Sequence, residues 1–280
     1  GLLANQQSLE AQRVVIYGGG SAGLGIAERL MEYSARRGFS ARDMADRIFV
    51  IDRRGLLTDQ HELAEELQQA VAKSRAVWGA WEVEDCQQIG LLEVVRNARP
   101  TILIGVSAHG GGFDERVIRE MAKHCQRPLI FPLSNPTHKA EAVPADLLRW
   151  TDGRCVVATG SPFPAVEFAG QLVQISQCNN LYIFPGVGMG CLIAQARQVT
   201  EAMLDRAAEI LASHAPILSK RNQSLFPSLA DADQIAREIS VAVAMQAQRD
   251  GVAPECSEKT LRERLARQVW VPHYPARTES

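Results

Sequence analysis

RVVIYGGGSAGLGIAERL, Arg13 to Leu30, is a short apolar run that breaks into a glycine loop and continues as a helix with one apolar face. Val14 to Tyr17 read as a buried strand, and Leu24, Ile26, Ala27 and Leu30 mark the inward face of the helix. Between them Gly18, Gly20 and Gly23 keep the G-x-G-x-x-G spacing. The first glycine permits the tight turn, the second lets the main chain approach a diphosphate, and the third lets the helix pack closely on its strand. Unpaired amides at the start of that helix attract an anion. A glycine turn of this spacing also occurs without a ligand; its place between strand and helix is what points to a dinucleotide.

A second strand, RIFVID from Arg47 to Asp52, ends in an acid where an adenine ribose would sit. The interval from Gly18 exceeds the usual spacing of about 20 residues. A helix over 21–37 stopped by Gly38, followed by a polar linker over 40–46, accounts for the excess. A carboxylate at Asp52 accepts hydrogen bonds from ribose hydroxyls and repels a 2′-phosphate, which favours NAD. Arg53 and Arg54 pull the other way, since a guanidinium in this loop can pair with the 2′-phosphate of NADP. Two solvated surface arginines are the equal alternative. NAD is the expectation, with NADP open.

Strands and helices alternate along the rest of the chain. Further strands are expected over 101–106, 128–133, 155–159 and 181–184. Helices are expected over 91–97, 114–123 (capped by Asp114) and 144–150, and a capping box at Thr58, Asp59 and Glu62 suggests another, reaching Ser74. The end is mainly helical, over 190–212 with a break near Thr200, then 231–249 and 258–269, before an exposed arm over 271–280. Continuous apolar strands alternating with helices mean a parallel sheet covered on both faces. Right-handed crossovers then give a doubly wound α/β fold of the Rossmann type, with a helical C-terminal part. One dinucleotide-binding domain is expected over 1–280, with its core at about 11–190 and a helical extension at about 191–270. Its ligand crevice lies beyond the carboxyl ends of the strands.

Composition narrows the function classes. With 46% hydrophobic and 22% charged residues among 280, this is an ordinary globular chain. A net charge of −2 without a long basic run argues against nucleic acid and anionic membrane. No apolar run reaches the roughly 18 residues of a membrane span, no secretory signal is visible, and Asn5 breaks a myristoylation pattern. Six cysteines (Cys86, Cys125, Cys155, Cys178, Cys191 and Cys256) form no C-x-x-C pair, which argues against zinc and a disulfide framework and suits a cytoplasmic protein. Cys155 reads as core.

Four further segments fall near strand ends. GVSAHGGGF, Gly105 to Phe113, follows the third strand; its small residues suit a nucleotide or a plain turn. His109 lacks an identifiable carboxylate partner, so it reads as a solvated loop side chain and not a general base. Ser134-Asn135-Pro136-Thr137 follows the fourth strand, where Asn135 is either turn chemistry or an amide aimed into the crevice. A rigid turn over 159–164 follows the fifth, and Gln177-Cys178-Asn179-Asn180 precedes the expected sixth.

Taken together, FPLSNPTHKAE, DGRCVVATGSPFP and QCNNLYIFPGVGMG, in this order after GGGSAGLGIA, resemble the nucleotide-binding domain of malic enzymes. IDRRGLLT and PTILIGVSAHGGGF do so too, and the resemblance runs from about Gly1 to the helix after Gly190, then more loosely to about Trp270. It implies oxidation of L-malate to pyruvate and carbon dioxide, with NAD or NADP taking the hydride and Mn²⁺ or Mg²⁺ as Lewis acid. By the same resemblance Gly18, Gly20, Ser21, Ala22 and Gly23 would hold the pyrophosphate. Asp52, with Arg53 beside it, would meet the adenosine ribose, and Val106 and Ser107 would lie beneath the nucleotide. Ser134 and Asn135 would lie near nicotinamide and malate, and Asn179 and Asn180 match the family's asparagine pair that contacts substrate and cofactor.

The resemblance also places the catalytic tyrosine, the catalytic lysine and three acidic metal ligands upstream of the matched region. No catalytic residue and no metal ligand is therefore assigned to this chain; Lys73, Lys123, Lys139, Lys220 and Lys259 do not occupy the lysine's place. GLLANQQSLE resembles the tail of the helix before the first strand, so a fragment without its upstream catalytic domain is expected. Such a chain would bind dinucleotide without decarboxylating malate, the metal belonging to the full-length enzyme. That enzyme would act on malate and pyruvate as a dimer or tetramer. A stand-alone dinucleotide-binding or sensing module shares every motif, and malolactic chemistry stays open. Another Rossmann dehydrogenase acting on a 2-hydroxy acid explains the glycine loop but not the SNPT and NNLYIFPG strings.

Overall fold

The computed structural model describes residues 2–63, 65–219 and 224–269. The chain divides into two compact units, Gly1–Cys178 with Pro216–Phe226, and Asn179–Ala215 with Pro227–Ser280.

Among the described residues the first unit carries all the strands: β1 (Val14–Tyr17), β2 (Ile48–Asp52), β3 (Gly55–Leu56), β4 (Ile102–Gly105), β5 (Leu129–Pro132), β6 (Val156–Thr159), β7 (Val166–Phe168), β8 (Gln171–Val173) and β9 (Ser176–Gln177). Seven form one sheet in the order β3-β2-β1-β4-β5-β6-β9, and β7 and β8 form a separate hairpin. Every pairing in the large sheet is parallel except β3, which runs antiparallel to β2. The order reverses at β1, whose Ile16 lies between Val50 and Ile104. That is the switch point where a doubly wound sheet opens a crevice. Val14, Val15 and Ile16 are fully buried, as continuous apolar strands demand when helices cover both faces. On one face Val15, Phe49, Leu103 and Ile130 join Val94, Val95, Ile118 and Met121 of the helices Leu91–Ala98 and Glu115–His124. Asp114 caps the second of these by accepting from the Val117 amide at 2.9 Å.

The first unit is completed by a distant segment. Ile217 and Leu225 are buried, the Ile217 amide donates to the Ser224 carbonyl at 3.1 Å, and the Phe226 amide donates to Ser176 Oγ of β9 at 3.0 Å.

Three expectations need correction. Residues 40–46 form no linker: Ala41–Arg47 is a helix, capped by Ser40 and anchored by buried Met44 and Ala45. The helix expected from the 58–62 capping box is absent there. Leu57 donates to the Val50 carbonyl, Lys73 donates to Leu57, and Thr58 pairs with Lys73 in a parallel bridge. Those main-chain bonds commit the segment to the sheet margin, and helix resumes only at Glu66–Val71 and Arg75–Trp78. The last parallel strand is Ser176–Gln177, not 181–184; Leu181 and Tyr182 belong to a 3-10 turn, and Phe184 opens the helix Phe184–Ala194. A four-residue apolar run has no periodicity to separate strand from helix, and Pro185 in the first helical turn favours helix. The expected arm over 271–280 lies outside the described residues.

The second unit is helical, with Phe184–Ala194, Glu201–Ser213, Ala232–Arg249 and Glu258–Gln268 as its main helices. Thr200 caps Glu201–Ser213, the break expected there. Phe184–Ala194 packs against Ala232–Arg249 through glycines. A Cβ on Gly186 would stand 2.6 Å from Ile239 Cγ2, and one on Gly190 would stand 2.8 Å from the Ser240 carbonyl oxygen. Nothing lies within 4 Å of a Cβ on Gly188. Among the described residues no helix is long and apolar enough to cross a membrane.

Two outcomes follow from this packing. Gly190→Ala should destabilise by about 1–3 kcal/mol through overpacking. Gly188→Ala should be neutral or stabilise by about 0.5–1 kcal/mol, because it only removes unfolded-chain freedom. Urea midpoints check both, and equal midpoints for the two variants would contradict the close crossing. Lys73 gives a separate outcome. It is buried at 2% exposure, its Nζ donates to the Ala45 carbonyl at 2.6 Å, and it stands 4.8 Å from the Phe49 ring centroid. Burial lowers its pKa from 10.5 to about 8, with Asp46 opposing. Between those values the unfolded chain binds more protons than the folded one, so Lys73 makes stability rise with pH from about 8 to 10.5. The gain is at most about 1.4 kcal/mol per pH unit. The wild-type minus Lys73→Met difference in unfolding free energy should show that slope, and a flat difference would remove the burial argument.

Candidate functional site

The turn after β1 is built by main-chain contact. Gly18 has φ +127°, its amide donates to the Ile51 carbonyl at 2.8 Å, and a Cβ there would stand 2.5 Å from the Val106 carbonyl oxygen. A Cβ on Gly23 would overlap the Gly18 carbonyl oxygen outright. These two glycines are explained by the chain itself. Gly20 is not: nothing lies within 4 Å of a Cβ built on it. It occupies the N-cap of the helix Ser21–Arg36 with no side chain to cap the first amides, and Ser21 and Ala22 are exposed beside it. Bare amides facing open space are the arrangement an anion enters.

Beyond this turn lies a cleft of about 1030 Å³. Tyr17 to Gly20, Ile51 to Gly55, Gln88, Gly90, Leu91, Val106, Ser107 and His109 line it. It therefore gathers the sequence-selected Gly18, Gly20, Asp52, Arg53, Val106 and Ser107 at the carboxyl ends of β1, β2 and β4. Ser134 and Asn135 follow β5, the next strand across the sheet.

Asp52 does not stand free. Its Oδ2 accepts from Arg54 Nη2 at 2.7 Å and Nε at 3.0 Å, and Oδ1 accepts from the Arg54 amide at 2.7 Å. Arg54 Nη1 donates to the Glu62 carbonyl at 3.2 Å, and the bond to Asp52 raises the Arg54 pKa above its usual value. Of the two arginines weighed against a 2′-phosphate, Arg54 is thus committed to the acid. Arg53 is exposed at the cleft edge, and its carbonyl accepts from Gln88 Nε2 at 3.2 Å.

His109 is exposed in its loop, as the sequence suggests, and its Nδ1 and the Tyr17 hydroxyl lie 2.8 Å apart. Burial and, second, the Glu141 charge push the Tyr17 pKa above 10. No motif in the sequence marks Glu141. It is 0% exposed, and a Cβ on Gly105 would stand 2.5 Å from its carboxyl carbon. Its Oε1 accepts from the Ser107 amide at 2.9 Å, Ser107 Oγ at 2.8 Å and Ser134 Oγ at 2.6 Å, and its Oε2 accepts from the Ser134 amide at 3.3 Å. The available signal was its setting, one charge between Ala140 and Ala142, both buried.

Asn135 Oδ1 accepts from Ser161 Oγ, tying the loop after β5 to the turn after β6, and Asn135 Nδ2 reaches the Leu133 carbonyl at 3.4 Å. Asn179 and Asn180 belong to the second unit. Asn179 Oδ1 accepts from the Leu181 amide at 2.9 Å, capping the 3-10 turn that Asn180 begins. All six cysteines are free, and burial pushes the Cys155 thiol up to about 11.

The residues present fit a nicotinamide dinucleotide: open amides for a diphosphate, an acid at the end of β2 for a ribose, and a cleft of ligand size. Among the described residues no three His, Cys, Asp or Glu side chains are grouped to hold a metal ion.

Comparison with known proteins agrees with this geometry. Residues 1–248 match the family described as malic enzyme, NAD binding domain. The NAD-dependent malic enzyme of Pseudomonas aeruginosa (strain UCBPP-PA14) is 45% identical over 273 residues, which is 98% of this chain and 48% of that protein. That of Sodalis glossinidius (strain morsitans) is 46% identical over 266 residues, 95% of this chain and 47% of that protein. The chain spans about half the length of the curated relatives it matches. Crystal structures of malic enzymes from Entamoeba histolytica and Pyrococcus horikoshii OT3 share the fold, each at TM-score 0.70 and 22% identity. They cover 95% of this chain, which spans 49% and 55% of theirs. The chain belongs to the malic enzyme family, as its NAD-binding domain.

Proposed function

We propose that this chain is the part of an NAD-dependent malic enzyme that holds the dinucleotide while L-malate is oxidised and decarboxylated to pyruvate and carbon dioxide. The observation that carries the reading is Gly20, a glycine whose absent side chain nothing in the chain requires, placed where bare helix amides open into the cleft. The amides of Ser21, Ala22 and Gly23 would receive the diphosphate. Asp52 would turn one oxygen to the ribose while Arg54 keeps its hold, and Val106 and Ser107 would lie beneath the nucleotide. Ser134 and Asn135 would face the nicotinamide and malate, and Asn179 and Asn180 would contact substrate and cofactor. Bound nicotinamide supplies the hydride acceptor. The residues of this chain orient it and move no proton.

The chain's 280 residues would bind dinucleotide without turnover, because the resemblance places the tyrosine, lysine and metal ligands outside the matched region. The metal of the complete enzyme would be held by residues outside the matched region. The complete enzyme would be a cytoplasmic homo-oligomer acting on malate and pyruvate.

Calorimetric titration tests the cofactor assignment. Asp52→Asn should weaken NAD binding by roughly 1.5–3 kcal/mol, the worth of a charge-assisted bond. Arg53→Ser should lower NADP affinity and leave NAD unchanged, whereas equal effects on both would deny Arg53 the 2′-phosphate. With NAD, malate and Mn²⁺ the purified chain should bind cofactor and produce no NADH absorbance. Sustained turnover would refute the division of labour proposed for the chain.

A further inference from the structure

Nothing in the proposed function uses the charge of Glu141. All four of its bonds are received, two from main-chain amides and two from hydroxyls. Each of those hydroxyls also accepts from a main-chain amide. Ser107 Oγ accepts from the His109 amide at 3.1 Å, and Ser134 Oγ accepts from the Ala108 amide at 2.9 Å. An acceptor ringed by donors is the setting of an ionised carboxylate. Among the described residues no cationic side chain forms an ion pair with it.

Sheet order decides which end of a dinucleotide meets this charge. Asp52 closes the cleft at β2, and the bare amides follow β1. An extended ligand that continues past β1 then lies over the ends of β4 and β5, the two strands whose loops Glu141 joins. Its field reaches the cleft wall, where it helps hold the Tyr17 proton in place. Oxidised nicotinamide is a cation; adding a hydride, two electrons and a proton, makes it neutral. A buried anion stabilises the first form and not the second, and low surrounding polarity strengthens the difference.

We propose that Glu141 is a positioning residue that fixes Ser107 and Ser134 and, by its buried negative charge, favours oxidised over reduced nicotinamide in this site. The inference rests on reading the cleft as a nicotinamide dinucleotide site.

Titration of NAD⁺, NADH and ADP-ribose into the full chain and into Glu141→Gln and Glu141→Asp separates the two ideas. ADP-ribose lacks the nicotinamide and reports that the cleft is intact. Glu141→Gln should move the NAD⁺-to-NADH affinity ratio about tenfold toward NADH at unchanged ADP-ribose affinity. That is equivalent to about 30 mV for a two-electron couple. Glu141→Asp keeps the charge while shortening its reach, so it should keep the ratio even where it weakens both forms. If the Gln variant loses ADP-ribose binding, Glu141→Met, neutral and of similar volume, carries the same expectation. An unchanged ratio in the neutral variant, or an equal change in the Asp variant, overturns the role of charge. Should the unaltered chain bind none of the three ligands, the reading of the cleft falls first and this inference with it.

Discussion

Main chain lying against main chain, with no room for a side chain between, is the constraint on which the cleft depends. Gly18 rests on the Val106 carbonyl, Gly23 lies beneath the Gly18 carbonyl, and Gly160 abuts the Leu133 carbonyl. The first and third draw a loop down onto the end of the neighbouring strand, and the second seats the helix on its own turn. A methyl group at any of them would lift that loop, and the amides of the first helical turn would move with it. Close packing of this sort is unforgiving because interiors transmit displacement and do not absorb it. Gly20 stands apart, since its missing side chain leaves space that the protein does not fill.

Side chains then lock the loops sideways across the sheet. Glu141 joins the loops after β4 and β5, and Asn135 with Ser161 joins those after β5 and β6. Both sets pair the polar groups they bury, so they specify one arrangement and do not strain it. The β2 end is held differently. Asp52 and Arg54 form a partly exposed pair whose contribution to folding is small, and water can reach it. One end of the cleft is thus a fixed polar floor and the other an adjustable rim.

The parallel sheet was legible because β1, β2, β4, β5 and β6 are continuous apolar runs bounded by turns, and burial on both faces leaves such runs no alternative. The Gly18, Gly20 and Gly23 spacing points to the cleft because Gly18 and Gly23 meet steric demands that only glycine satisfies, while Gly20 leaves its space open. Features set by partners far along the chain are not legible in the sequence. Thr58 and Lys73 pair across a loop, and their local composition suggested a helix. The four apolar residues at 181–184 were too short to show a period. Glu141 was hidden for a related reason: a buried carboxylate is defined by the donors around it, and those come from residues 107 and 134. The Arg54 grip on Asp52 was invisible because adjacent charges in sequence read alike whether they pair with each other or with a ligand.

The return of residues 216–226 to the first unit has a consequence for biogenesis. Ribosomes deliver the sheet first and the helices after it, yet the last piece of the sheet's unit emerges only after two helices of its neighbour. Until then β9 lacks the Phe226 amide and the apolar surface around Ile217 and Leu225 has no cover. A nascent chain halted near residue 178 would therefore expose a sticky margin, and a gene cut there would yield an incomplete product and not a minimal module.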